Sequence, residues 1–468
     1  MKKSKKIILI IAIIIGVIVA AGGIFWFSMP SAQRNMMLFM IKKGDSYDNY
    51  QEYQVIDRND EALSPTSFEP SVADIIEGDN NINIMSITEM VKNENSMMMK
   101  KGMVQSIGID DYTGWHLIAD EGAAEGEYPF GPSPLSYYTS GLAANLHTQI
   151  LKAAEVKGVQ LDNVKVEVLN KFRWDDMIAD DGAGFLDLTT TNIIIESSAS
   201  EAVIQEIKEM AINSWAAGEA LRNETVIEPT LVVNGDNWGN YKATPGTTLS
   251  EKSFVDNLKI SSVTDVPKKP YYLEPTVKED EGILAFSNMS NMEFEIYAIS
   301  ESAENSERPY LKKITVSTPS AETWEIFSDE FMGENDSPLA PTSLEYFTTG
   351  TALCLTSQTT LVSAMMSLDF TDYRVENQID YRQEDVNSTE MASFTDTVHS
   401  YVIIESDESR ERIETFYNKS LSLCFAGEGL KNATEMITNT YLNGEELKLD
   451  CTSKNKTVNC NNKLDTPW

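Results

Sequence analysis

The sequence is written twice. Trp115 and Trp324 lie 209 positions apart, and the same spacing returns along a long stretch of the chain. It pairs Asp120 and Glu121 with Asp329 and Glu330, and Pro132 with Pro341. It pairs Tyr137, Thr139, Gly141 and Ala143 with Tyr346, Thr348, Gly350 and Ala352. Farther on it pairs Val166 and Glu167 with Val375 and Glu376, Arg173 with Arg382, Phe185 with Phe394, and Asp187 with Asp396. It closes with Ala217, Gly218 and Glu219 against Ala426, Gly427 and Glu428, then Asn234 and Gly235 against Asn443 and Gly444. No gap is needed between the tryptophans and the Asn-Gly pairs, and chance does not hold one register over such a span. A period of this size is a duplicated domain rather than a solenoid.

The 468 residues leave room for two such domains, each able to bury a real core, and 42% hydrophobic content marks a globular chain. We expect domain one over residues 80–238 and domain two over 279–449. Residues 239–278, rich in Pro, Thr, Ser, Asn and Lys, read as a linker. Residues 28–79 read as a polar, acidic stalk and 450–468 as a polar tail. Within each copy the periodicities are mixed. Gly102 to Ile109 and Lys313 to Ser317 alternate as half-buried strands do. Small and apolar residues from Ser136 to Val156, and from Ser343 to Leu368, fit buried helices that begin after prolines. Strands near Val164–Val168, Asn192–Glu196 and Tyr401–Glu405 follow, then second helices over Glu201–Trp215 and Ser409–Cys424. The fold class is α+β, with strands around two central helices in each copy.

The net charge of −35 would repel nucleic acid and anionic lipid alike, so neither is expected as a partner. Three histidines and four cysteines without a CxxC give no metal-site spacing. At the amino terminus, MKKSKK (1–6) reads as a cytoplasmic basic tail before an uncharged run from Ile7 to Phe27, about the length needed to cross a bilayer. The basic flank places the globular part outside the cytoplasm, as a single-pass membrane protein. A cleaved signal peptide is the rival, but the run is long for one and Val19-Ala20-Ala21 is a poor cleavage site.

The segment Gly131 to Asn145, GPSPLSYYTSGLAAN, resembles the start of the central helix in the OsmC/Ohr family. In domain two Ala340 to Cys354, APTSLEYFTTGTALC, matches more closely and ends on a cysteine. Leu421-Ser422-Leu423-Cys424, followed by Phe425 to Lys431, supplies a second. The resemblance spans about 150 residues in each half. It implies two OsmC-like domains paired as an intramolecular pseudo-dimer, because members of the family usually form intertwined dimers; a short tether would favour that internal pairing, leaving the chain monomeric.

The resemblance further implies a thiol peroxidase that reduces organic or lipid hydroperoxides. Cys354 would attack the peroxide and Cys424 would resolve the sulfenic acid to a disulfide, reset by an external dithiol, with no cofactor and no metal. Such chemistry needs a thiolate of lowered pKa and a resolving thiol within reach. Glu345 is the candidate carboxylate near the helix start, one place from the family's position, which Leu344 occupies. For the family's thiolate-favouring arginine, Arg308, Arg374 and Arg382 are available and none sits in a matching motif; Arg382 repeats Arg173, which favours a structural role.

The 209 spacing puts Asn145 opposite Cys354 and Trp215 opposite Cys424, so the first copy is degenerate as a peroxidase. The alternative is a degenerate pseudo-dimer that binds a hydrophobic ligand or serves an envelope complex, with Cys354 and Cys424 as buried small residues or a structural disulfide. Cys451 and Cys460 are close enough in sequence for a local disulfide. His147 is expected to be packed rather than catalytic. Tyr137, Tyr138, Tyr346 and Phe347 are expected in the core or lining an apolar pocket.

Overall fold

The computed structural model describes residues 29–35, 56–58, 63, 81–90, 98–109, 111–121, 131–238, 292–303, 307–318, 323–332, 337–368, 370 and 372–447. Strand β1 (Ile56–Arg58) precedes the first repeat, which runs β2 (Ile82–Met90), β3 (Lys100–Ile107), β4 (Trp115–Ala119), α1 (Pro134–Lys157), β5 (Asn163–Asp175) and β6 (Ala183–Glu196). It ends with α2 (Glu201–Asn213), α3 (Ala216–Arg222), β7 (Ile227–Val233) and β8 (Asp236–Asn237). The second repeat runs β9 (Glu293–Ser302), β10 (Lys312–Ser317), β11 (Thr323–Ser328), α4 (Ser343–Met366), β12 (Asp372–Glu384) and β13 (Ala392–Glu405). It ends with α5 (Arg410–Ser422), α6 (Phe425–Lys431), β14 (Glu435–Leu442) and β15 (Glu445–Glu446). From α1 to α3, both bounds of every element return 209 residues later.

The long helices form for reasons local to their sequence. Ser133 caps α1 by accepting from the Ser136 N–H, Pro134 follows at the first turn, and Gly158 ends the helix in the left-handed region at φ 64°. Thr342 caps α4 in a capping box with Glu345. Most residues of both helices are buried, with no broad polar face, because each is enclosed on several sides.

The strands do not stay with their own repeat. One sheet has the order β1-β4-β3-β2-β12-β13-β7-β8 and the other β11-β10-β9-β5-β6-β14-β15. The first repeat's β2 lies antiparallel to β12, and the second repeat's β9 lies antiparallel to β5. The closing strands cross as well: β7 pairs in parallel with β13, and β14 with β6. Each sheet is therefore made from both repeats. Helix α4 packs on the sheet containing β2, β3 and β12, helix α1 on the one containing β5, β9 and β10, and the two helices pack on each other.

At their contact, residues meet their own repeat equivalents. Tyr137 stacks with Tyr346 at 5.7 Å between ring centroids, and Tyr138 with Phe347 at 4.6 Å. The Tyr137 hydroxyl donates to the Ile118 carbonyl and the Tyr346 hydroxyl to the Phe327 carbonyl, both at 2.7 Å. All four rings are fully buried, so they are core. Aromatic burial and stacking at the join stabilise the helix pair beyond area alone.

His147 also ties the repeats together. On α1 and fully buried, it holds Ser300 Oγ at 3.0 Å and Ser302 Oγ at 3.2 Å, both on β9. Burial, with Lys312 adding to it, pushes its pKa down to about 3. The imidazole is thus neutral in the fold, and protonation of the unfolded chain below about pH 6.5 draws the equilibrium toward unfolding. Stability from this site is present above that pH and lost as pH falls toward 3. Between pH 7.5 and 5 the wild type is expected to lose about 2 kcal/mol more than His147→Asn in urea titrations. Equal losses would show that this histidine is not held neutral.

Several sequence expectations change. The single-pass placement is corrected: among the described residues no helix is long and apolar enough to cross a membrane, and the run 7–27 that suggested one lies outside them. The linker 239–278, the tail 450–468, and with it Cys451 and Cys460, also lie outside the described residues. Within the expected stalk, Ile56–Arg58 is a strand that pairs with β4. Each expected second helix is present and ends two residues early, at Asn213 and at Ser422, and an unexpected short helix follows it after Ser214-Trp215 and after Leu423-Cys424.

Candidate functional site

The break before α6 is what brings the two sulfurs together. Cys354 lies in the middle of α4, and Cys424 is the residue that caps α6, with extended backbone at φ −76° and ψ 102°. Their sulfurs are 3.6 Å apart, and both thiols are free and buried. A disulfide needs about 2.05 Å, so closure asks for a movement of about 1.5 Å. The Gly427 N–H donates to Cys424 Sγ at 3.4 Å, and the Ala426 N–H is directed at Cys354. Burial first, and then the neighbouring Cys424, hold the Cys354 thiol well above the usual cysteine range. Glu121, from the first repeat and paired with buried Lys100 at 2.7 Å, adds to that rise.

A cleft of about 150 Å³ opens beside the pair. Its apolar walls are Leu355 and Leu421, Val398, and Ile227 and Pro229 from the first repeat; Thr351, Asn377 and Ser400 add polar groups. Cys424 and Gly427 line it, and Cys354 does not. The Ser400 hydroxyl donates to Asn377 Oδ1 at 2.7 Å. The rim carries Glu428 and Lys431, 3.3 Å apart.

In the first repeat the same framework is closed. Asn145 Oδ1 accepts from the Ala217 N–H at 3.2 Å, the repeat counterpart of the Ala426 N–H that faces Cys354. Its amide nitrogen donates to Ser343 Oγ at 3.1 Å. Trp215 caps α3 where Cys424 caps α6, is fully buried, and donates its indole N–H to the Leu142 carbonyl at 3.1 Å. An indole occupies the space that a thiol leaves open in the second repeat.

Gly218 is the condition for that indole. A Cβ at 218 would lie 2.2 Å from the Trp215 ring, whereas one at its counterpart Gly427 would meet Cys424 Sγ at 3.4 Å, an ordinary contact. Gly218→Ala is expected to destabilise the chain by about 1–3 kcal/mol through overpacking. Gly427→Ala should cost less than 1 kcal/mol, within reach of the helix gain alanine brings. Comparable denaturation midpoints for the two variants would contradict this account of the closed half.

Glu345 is not brought to the sulfurs. It precedes Cys354 by nine positions on α4, about 13 Å along the axis at 1.5 Å per residue. Fully buried, it accepts from the Thr342 N–H at 2.8 Å, the Ser106 N–H and hydroxyl at 2.9 Å each, and the Tyr112 hydroxyl at 2.8 Å. Burial raises its pKa against the pull of those donors. The arginines hold carboxylates: Arg308 with Asp329 at 2.5 Å, Arg374 with Glu376 at 2.6 Å, Arg382 with Glu384 at 2.5 Å, and Arg173 with Asp187 at 3.0 Å. None of these pairs involves a cysteine. Among the described residues no group of three or more His, Cys, Asp or Glu side chains is arranged to hold a metal ion.

Sequence reasoning missed the cleft, Glu121 and Lys100. The signal for the cleft was present in the repeat, because Trp215 against Cys424 is a large-to-small exchange at a matched position. Comparison with known proteins adds little. No protein-family model matches the sequence, and no curated protein matches it. Among solved structures, the chain is similar to an OsmC-like hydroperoxide resistance protein from Jannaschia sp. CCS1. The identity is 16%, over 32% of this chain and 96% of that one, with a TM-score of 0.22. So distant a likeness decides nothing about chemistry.

Proposed function

We propose that Cys354 and Cys424 form a reversible dithiol–disulfide pair that reduces organic hydroperoxides entering the adjacent cleft. One sulfur takes an oxygen from the peroxide as a sulfenic acid, the other condenses with it, and an external dithiol restores both thiols. The observation that carries this is the 3.6 Å separation of two free thiols beside an apolar cleft. In this proposal the two repeats act as an intramolecular pseudo-dimer. The exchanged strands and the stacking of Tyr137 on Tyr346 support it. The first repeat supplies Ile227 and Pro229 to the cleft wall and no chemistry of its own.

The test is peroxide consumption. Reduced protein mixed with one equivalent of cumene hydroperoxide is expected to consume it and lose two free thiols per chain from this pair. Dithiothreitol should then support turnover, and Cys354→Ser with Cys424→Ser together should abolish it. Two observations favour a second reading, a module that binds an apolar ligand without reacting. Burial raises the Cys354 thiol, and the arginine contacts described above go to carboxylates. A fully reduced chain that leaves the peroxide untouched, yet protects Cys424 from alkylation when an apolar ligand is added, would establish that reading instead.

A further inference from the structure

We infer that Cys424 is the attacking thiol and Cys354 the resolving one, the reverse of the order that the family resemblance implies. The inference rests on the thiol-pair proposal and adds a direction to it. Both sulfurs are buried, Cys424 at 3% and Cys354 at 1% exposure, but Cys424 lines the cleft and Cys354, in the middle of α4, does not. A peroxide in the cleft therefore meets Cys424 first. The cleft exists because a thiol stands at 424 where the first repeat has the Trp215 indole, so the opening and the nucleophile are one feature.

The surroundings agree with that division. Cys424 stands at the junction of two helices, where the backbone is not helical and the Gly427 N–H reaches its sulfur at 3.4 Å. Cys354 is fixed within a continuous helix, and burial keeps its thiol protonated. A protonated thiol at 3.6 Å is a poor first nucleophile. It is well placed to condense with a sulfenic acid formed beside it. Apolar walls at Leu355, Leu421, Val398 and Ile227 suit a hydroperoxide with a small hydrocarbon body.

The sequence of bonds is complete with a dithiol named as the reductant. Cys424 sulfur attacks the distal oxygen of ROOH, the O–O bond breaks, and the alkoxide leaves as ROH with the proton the thiol gave up. Cys424 then carries S–OH. Cys354 sulfur attacks Cys424 sulfur, the S–O bond breaks, and the hydroxyl leaves as water with the Cys354 proton. A dithiol reduces the resulting disulfide to two thiols and departs as its own disulfide.

The two single variants are each mixed with one equivalent of cumene hydroperoxide in the presence of dimedone, and adducts are mapped by mass spectrometry. Cys354→Ser is expected to consume the peroxide and carry dimedone at Cys424. Cys424→Ser should consume it at least tenfold more slowly and carry no adduct at Cys354. An adduct at Cys354 in Cys424→Ser, with Cys354→Ser inert, overturns the order and leaves the pair standing; equal adducts in both do the same. A wild-type chain that consumes no peroxide overturns the thiol-pair proposal itself. Because a variant can fail to fold, the wild-type protein is also labelled over time with N-ethylmaleimide. Cys424 should be modified at least tenfold sooner than Cys354, and the opposite sequence of labelling overturns the inference.

Discussion

Gly350→Val is expected to leave the chain unable to reach its native fold. A Cβ at 350 would fall 2.4 Å from the Tyr138 nitrogen and 2.7 Å from its Cα, and one at Gly141 would fall 2.5 Å from the Phe347 nitrogen. These are backbone atoms of the facing helix, so no rotamer change relieves them. The helices must separate, and the stacked pairs Tyr137–Tyr346 and Tyr138–Phe347 separate with them. Because α1 covers one composite sheet and α4 the other, the loss spreads to both. We expect about 4 kcal/mol or more for Gly350→Ala, and no cooperative unfolding transition for Gly350→Val. Gly158→Ala is the control: its φ of 64° makes alanine strained, yet the space is open, and about 1 kcal/mol is expected. Chemical denaturation followed by circular dichroism separates these outcomes. A Gly350→Val protein with wild-type stability would mean that the helix crossing is not close.

Glu345→Ala is expected to cost about 3–5 kcal/mol, the range for stripping partners from a buried polar network. Its carboxylate ends two donors of the α4 start and of β3, the Thr342 and Ser106 N–H groups, along with the Ser106 and Tyr112 hydroxyls. Tyr112 in turn accepts from the Trp115 indole N–H at 2.9 Å, so the loss reaches β4. Glu345→Gln keeps the shape but sets an amide NH2 against a backbone donor, and about half the cost is expected. The pH dependence has a definite sign. Burial raises the folded pKa of Glu345 above its ordinary value of 4.5. The stability it contributes is then fully present below that value and is lost as pH rises through the folded pKa. The gap in unfolding free energy between wild type and Glu345→Gln should narrow as pH is raised from about 4.5. A gap that widens would show that the donors hold the carboxylate ionised despite its burial.

The candidate site was legible only in part. Cys354 and Cys424 stand out because their repeat counterparts, Asn145 and Trp215, are chemically so different. Helix α4 could be placed from Pro341 and the small residues that follow, and its observed bounds differ from the expected ones by two residues at the carboxyl end. The end of α5 was legible to within two residues, since the helix was expected to stop at Cys424 and stops at Ser422. The short helix α6 was not, because Gly427 and Gly429 give its seven residues weak helix propensity. It appears in the folded chain, where Cys424 takes up its cap and the Gly427 N–H donates to the sulfur. Glu345 shows the same limit. Its capping-box partner Thr342 is three residues away, but Ser106 and Tyr112 are more than two hundred positions distant.

The sequence by itself determined that the fold is built twice, where the longer helices begin and end to within two residues, and which half keeps two thiols. Those properties follow from spacing along one strand of covalent chain, where caps, prolines and periodicity act within a few residues. Tertiary structure alone decided that β2 lies beside β12 and β9 beside β5, that a cleft opens at Cys424, and that Glu345 serves a buried network instead of a sulfur. Strand partners and cavities depend on how far-apart segments exclude water and satisfy one another's polar groups. Similar strand patterns in the two repeats leave the choice of edge partner open, and only the packing of the whole chain makes it.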